Sequence, residues 1–146
     1  MSHTPLQLED YFFTRVFFQA NDEYTGQAKN EHFPVELEIG FNLELLKHES
    51  DPHRFQLRLT INELKAGEHP LPYTLDIQII GLFAVDPDFN HEDIPRLVRV
   101  NGGSMLYSAT REYVLMITGR GPWGGLKLPT VNFHGAIARQ DKEKEG

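Results

Sequence analysis

The chain has 146 residues, of which 40% are hydrophobic, 11% aromatic and 24% charged, a balance that excludes disordered and collagen-like classes. It contains no cysteine, which removes disulfide scaffolds, thiolate metal sites and cysteine nucleophiles. Fourteen basic and 21 acidic residues give a formal charge of −7, which repels nucleic acid and anionic lipid, and no basic patch offsets it.

Met1 to Leu8 lack a basic start followed by an apolar core, so no secretory signal is read there. Tyr11 to Ala20 (YFFTRVFFQA) is aromatic and β-branched and reads as a strand with two partly apolar faces. Val35 to Leu45 alternates cleanly, with Val35, Leu37, Ile39, Phe41, Leu43 and Leu45 on one face and Glu36, Glu38, Asn42 and Glu44 on the other. That pattern is a half-buried strand. After the turn Ser50-Asp51-Pro52, Phe55, Leu57, Leu59 and Ile61 alternate with Arg54, Gln56, Arg58, Thr60 and Asn62. The two strands are expected as an antiparallel hairpin whose glutamates face Arg54 and Arg58, each such cross-strand pair contributing roughly 0.2–1 kcal/mol.

A further turn at Lys65 to Pro70 leads to Tyr73 to Val85, a strand with Gly81 read as a bulge. Its apolar run, Leu75 to Val85, is interrupted by Asp76, Gln78 and Gly81 and is too short to cross a bilayer. From Ser104, read as an N-cap, apolar residues at 106, 109, 113 and 116 or 117 recur at helical spacing until Gly119 and Gly121 stop the helix. Because the helix follows the strands instead of alternating with them, the expected class is α+β: a four-stranded antiparallel sheet followed by helices packed on one side. A single cytoplasmic domain over residues 1–138 is expected, with the charged residues 139–146 as a disordered tail.

Several motifs invite chemistry that their context does not support. Gly119, Gly121 and Gly124 satisfy G-x-G-x-x-G but follow a helix, whereas dinucleotide binding needs the motif between a strand and a helix N-terminus. Asp86, Asp88 and Asn90 resemble a calcium loop, yet His91 stands at its glycine and Leu97 at its closing glutamate. His48 and His53 flank one turn without a third metal ligand in view. The glutamates of the second strand sit beside arginines and have no neighbour that would make one a general acid. There is no G-x-S-x-G elbow. The residues therefore point to no enzyme, cofactor or metal. What stands out is the aromatic supply, ten Phe, five Tyr and one Trp, several in expected loops: Phe33, Phe89, Trp123 and Phe133. A loop tryptophan between Pro122 and Gly124-Gly125 suits an interface or an apolar groove.

Four fragments in order, Gly81-Leu82-Phe83, Met105-Leu106-Tyr107 leading to Arg111-Glu112, Arg120-Gly121-Pro122-Trp123, and Leu126-Lys127-Leu128 leading to Val131-Asn132-Phe133, resemble the SecB protein-export chaperone family. The resemblance implies a homotetramer, a dimer of dimers, acting as an ATP-independent holdase for unfolded or pre-secretory polypeptides. Carried over by position, it implies a client groove formed by Phe33, Val35, Leu37, Ile39, Phe133 and Ile137, which Trp123 joins as a loop aromatic. The apolar helix residues Met105, Leu106, Tyr113 and Met116 are expected at the subunit interface. The sheet surface that docks the translocation motor in this family keeps Asp76, but its acidic positions in the first strand are Arg15 and Gln19, and the family aspartate after Val-Asn-Phe is His134. These departures motivate an alternative, a dedicated adaptor for one partner such as an antitoxin, without motor docking.

Overall fold

The alternation in the first half of the chain is realised as β1 (Leu6–Ala20), β2 (Glu38–Lys47), β3 (Arg54–Lys65) and β4 (Tyr73–Val85) in a computed structural model, which describes residues 5–24, 37–68 and 70–138. Neighbouring strands are antiparallel, in the order β1-β4-β3-β2. The register Leu57↔Gly81, Leu59↔Ile79 and Ile61↔Ile77 puts the apolar set of β3 and β4 on one face, where all six residues are buried. The opposite face carries Arg58, Thr60, Asp76 and Gln78, as period-two geometry requires.

The hairpin of β2 and β3 forms as expected, pairing Leu43 with Leu59 and Glu44 with Arg58. Arg58 Nη1 donates to Glu44 Oε2 at 2.9 Å. Arg54 does not meet β2; it lies 3.3 Å from Asp51 and 3.4 Å from Glu9.

Gly81 is not a bulge, because its pairings with Tyr11 and Leu57 are in register. It serves close approach: a Cβ there would lie 2.7 Å from Phe83 Cε2 and 2.8 Å from Leu106 Cδ2. The register shifts lie elsewhere: Glu9 and Thr14 are extra residues in β1 opposite β4, and Asn62 is extra in β3 opposite Gly40 and Phe41 of β2. β1 is a sheet edge, where bulges are common, and the β3 bulge faces the other edge strand, β2.

Ser104 is not an N-cap. The helical path begins earlier, with a 3-10 turn at His91–Asp93, then α1 (Ile94–Leu97), a π turn at Val98–Gly102, and α2 (Gly103–Thr118). Asn90 starts it by accepting from the Glu92 amide, and Pro95 occupies a first-turn position where a missing amide costs little. Gly102 and Gly103 do not break the helix because they lie against the sheet. A Cβ on Gly102 would be 3.0 Å from Phe83, and one on Gly103 would be 3.1 Å from Phe133.

The buried face of α2 is Gly103, Leu106, Tyr107, Thr110, Val114 and Thr118. Both threonines satisfy their hydroxyls on the preceding turn, Thr110 with the Leu106 carbonyl and Thr118 with the Val114 carbonyl. Leu126, Leu128, Phe133 and Ile137 complete the core after the helix.

Candidate functional site

Of the residues that sequence places in a client groove, Leu37 and Ile39 lie at the start of β2 and Phe133 and Ile137 on the C-terminal helical turn, residues 133–138. Phe33 and Val35 lie outside the described residues. Leu37 is buried and Ile39 half-buried at the start of β2. Phe133 is only 2% exposed and Ile137 5%, so both belong to the core of the single chain, and the expectation that Phe133 lies on a surface apart from the core is corrected. The physical reason is an aromatic seam: Phe133 packs 4.9 Å from Phe41 and 5.6 Å from Tyr107, ring centre to ring centre. Gly103 provides the space beneath it.

Tyr107 ties this seam to the chain after α2 by donating its hydroxyl to the Pro129 carbonyl. Burial pushes that hydroxyl's pKa up to about 12, with Arg111 acting in the opposite sense. Tyr107 is therefore a neutral donor at any ordinary pH. The seam packs apolar rings against the edge strand β2, and Tyr107 contributes no acid or base there.

Trp123 packs elsewhere, beside the segment that follows β1. Its indole Nε1 donates to the Asn21 carbonyl at 3.1 Å, and its ring meets Tyr24 edge-on at 5.2 Å. The Tyr73 hydroxyl anchors the glycine-rich turn behind it, accepting from the Trp123 amide at 3.0 Å and donating to the Gly124 carbonyl at 2.8 Å. Burial raises the Tyr73 pKa, and the Trp123 amide lowers it less. Gly121 is required because a Cβ would lie 2.7 Å from the Tyr73 oxygen, and Gly124 because its φ is +83°. Trp123 is thus half-buried and pinned beside the end of β1, with partners distinct from those of Phe133.

Of the four residues expected at a subunit interface, Leu106 is fully buried against Gly81 and belongs to the core. Tyr113 is half-buried and stacks on Phe13 at 4.5 Å. Met105 and Met116 are exposed, Met116 at 63%. The larger apolar exposure is one that sequence reasoning did not single out, in β1: Tyr11 and Phe17 at 46%, Phe12 and Val16 at 42%. Register assigns Tyr11 and Val16 to the helix face, opposite Gly81 and Ile77, and Phe12 and Phe17 to the other face, opposite Ile80 and Asp76. The signal was available, since an aromatic run with two apolar faces on an edge strand has more apolar surface than one helix layer covers.

Asp76, the candidate docking carboxylate, is paired with Arg15 of β1 at 3.3 Å. On so exposed a pair the attraction is worth about 0–1 kcal/mol, but the carboxylate is no longer an isolated negative charge. Beside it Thr14 donates to Gln78 Oε1 at 2.8 Å and Gln78 donates to Thr60 at 3.2 Å, so this sheet face is a mixed polar surface. His48 does not meet His53. Its Nδ1 accepts from the Ser50 and Asp51 amides, while the His53 ring lies 5.8 Å from His91. Among the described residues no group of three or more His, Asp or Glu side chains could hold a metal ion, and no helix is long and apolar enough to cross a membrane.

The architecture defines the class: an α+β subunit whose four-stranded antiparallel sheet carries its C-terminal helices on one face, with apolar residues left open on an edge strand and a helix. The chain belongs to the SecB family, since the family described as preprotein translocase subunit SecB matches residues 3–144. No curated protein sequence matches it. Among solved structures it is similar to a Mycobacterium tuberculosis SecB-like chaperone in complex with a ChAD peptide from the HigA1 antitoxin, with 18% identity, a TM-score of 0.65, and coverage of 87% of this chain and 91% of that one. It is also similar to a Streptococcus agalactiae protein of unknown function, with 11% identity, a TM-score of 0.56, and coverage of 88% and 100%. These likenesses establish the fold.

Proposed function

We propose that the protein is a cytoplasmic, ATP-independent holdase that binds unfolded or pre-secretory polypeptides through apolar surfaces, and that it works as a homotetramer. The observation that carries this reading is uncovered apolar surface on a SecB-family subunit: Tyr11, Phe12, Val16 and Phe17 on β1, Met105 and Met116 on α2. Met105, Met116 and Tyr113 fit a helix-mediated subunit contact. Phe33, Val35, Leu37 and Ile39 are assigned to client contact on the family pattern, with Phe133 and Ile137 packed in the core of the chain and Phe133 beside Phe41, and Trp123 to a separate contact beside Tyr24. At about 25 cal/mol per Å², a few hundred Å² covered per groove supports reversible binding, and several grooves on one assembly add avidity. The charge of −7 favours clients rich in basic residues.

A second reading, a dedicated adaptor for one partner such as an antitoxin, is favoured by the Arg15–Asp76 pair, which neutralises the retained docking acid. The antitoxin peptide on the Mycobacterium tuberculosis neighbour supports the same reading. Light scattering on the purified protein, alone and with a panel of unrelated slowly folding proteins, tests both. A tetrameric mass and suppressed aggregation across the panel support the generalist holdase. Suppression of one client alone supports the adaptor, and a monomer that holds none refutes both.

A further inference from the structure

Ser108, Arg111, Glu112 and Leu115 recur along α2 at the spacing that places them on one face of a helix. That face is distinct from the buried one. The segment over residues 125–129 runs beside it and is fastened near both ends. The Leu126 amide donates to Thr118 Oγ1 at 2.7 Å, and the Tyr107 hydroxyl donates to the Pro129 carbonyl. Gly125 lies so near Leu115 that a Cβ there would be 2.8 Å from its Cδ1. Leu126 and Leu128 are buried, and Lys127 between them is exposed. Between helix and segment is a cleft of about 280 Å³, lined by the four helix residues with Lys127 and Leu128. Its walls are fixed before any ligand arrives, which spares a ligand the cost of ordering them.

The charged groups of this cleft are unpaired. Arg15, Arg54, Arg58 and Lys65 each have a carboxylate partner within 3.4 Å, whereas among the described residues Arg111, Glu112 and Lys127 form no ion pair or side-chain hydrogen bond. Two cations and one carboxylate leave the cleft positive on a chain whose formal charge is −7. A guanidinium receives a carboxylate on two parallel N–H donors, and a single excess positive charge matches a monoanion better than a doubly charged phosphate. The volume stands at the lower limit of the roughly 300–1,000 Å³ typical of small-molecule sites, the scale of a short stretch of peptide. Leu115 and Leu128 add an apolar floor beside the cations, so the anion must come with apolar atoms attached. We propose that this cleft binds an acidic side chain of a polypeptide together with an apolar neighbour, the carboxylate on Arg111 and Lys127 and the neighbour over Leu115 and Leu128. Glu112 is left to accept from the segment's backbone amides and to repel a second acid. The net charge of the chain favours basic segments at long range; the cleft adds a local preference of opposite sign.

That the bound segment belongs to an unfolded client rests on the holdase reading above; the preference of the cleft for a carboxylate does not. Fluorescence anisotropy of the full chain with two labelled peptides, Gly-Ser-Leu-Glu-Leu-Ser-Gly and its Gln counterpart, tests it. Both peptides are blocked at their ends, so the Glu side chain is the sole carboxylate. The Glu peptide is expected to bind roughly three- to tenfold more tightly at low salt, with the advantage shrinking as salt is added. Arg111→Gln combined with Lys127→Gln is expected to abolish the difference by weakening the Glu peptide alone. Arg111→Lys, which keeps the charge and loses the fork, is expected to retain part of it. Circular dichroism melts and light scattering on each variant report fold and assembly. Equal affinities for the two peptides, binding of neither, or a preference that survives in the double variant overturns the assignment. So does a double variant that loses assembly when the unaltered protein shows no preference, which gives the cleft to a second copy of the chain. Aggregation suppression is measured on the same proteins. If the Glu preference behaves as expected and no client is held, the cleft stands and the holdase reading fails; if clients are held and the peptides bind alike, the cleft fails and the holdase stands.

Discussion

Replacing Phe133 with alanine tests whether this ring is a core element or a surface anchor. The side chain is 2% exposed and touches two aromatic rings, at 4.9 and 5.6 Å, with the Gly103 backbone close enough that a Cβ there would be in tight contact. Gly103 is held by α2 and Phe41 by β2, so the site cannot collapse freely into the void. A buried Phe→Ala change of this kind costs about 3–5 kcal/mol. For 146 residues, an unfolding entropy of about 2.1 cal/mol/K per residue makes each kcal/mol worth roughly 3 °C, so the melting temperature should fall by about 10–16 °C. Circular dichroism melts at fixed protomer concentration, with urea titrations to confirm an unchanged m-value, measure this without confusion from assembly. Phe133→Leu, which retains most of the volume, should lose less than half as much. A fall below about 3 °C for the alanine variant would refute the core assignment and restore a surface role for the ring.

Gly81→Ala should destabilise by about 1–3 kcal/mol, seen as a lower urea midpoint, because the new methyl meets Phe83 and Leu106 inside van der Waals distance and neither can retreat from a packed core. Arg15→Glu, which removes the cation paired with Asp76, should strengthen binding to a purified translocation motor measurably at low salt, while the unaltered protein binds more weakly than an export chaperone; equal affinities for all three would dismiss the electrostatic argument. The Tyr107 hydroxyl, with its pKa near 12 when folded and about 10 when unfolded, binds its proton more tightly in the native state. Its contribution to stability is full below pH 10 and is lost as pH rises from about 10 to 12. Tyr107→Phe should remove that part of the alkaline loss in denaturant titrations, and the wild-type tyrosinate absorbance should show one ring ionising late.

The strands were legible because each buries one face, and a period of two is hard to mistake when Leu43, Leu57, Leu59 and Ile61 all point one way. β1 was read as starting at Tyr11 instead of Leu6 because its two bulges shift the alternation within a single strand. The helix was found, but its face was misread. Thr110 and Thr118 look polar yet are buried, since each satisfies its hydroxyl on its own backbone, while Met116, apolar by type, is left outside. The run from His91 to Gly102 was invisible for a related reason. Paired glycines read as a break when taken alone, and only the rings of Phe83 and Phe133 show why no side chain fits there. The burial of Phe133 also lay beyond sequence, because a short apolar segment after a loop has no period with which to declare its face.

The sheet order carries a cost for synthesis. β2, β3 and β4 are neighbours in sequence and in space, but β1 pairs only with β4, and Tyr73 lies opposite Ala20. At roughly 5–20 residues per second, the aromatic segment waits about 3–10 s on the ribosome before its partner strand has been made. During that interval Tyr11, Phe12, Phe13, Phe17 and Phe18 form the kind of apolar stretch that passing hydrophobic chains can join. Nascent chains arrested before Tyr73 should be cleaved readily within this segment, and chains long enough to expose all of β4 should resist. The newborn protein thus passes through a stage in which it is itself a candidate for the protection its finished form is proposed to give.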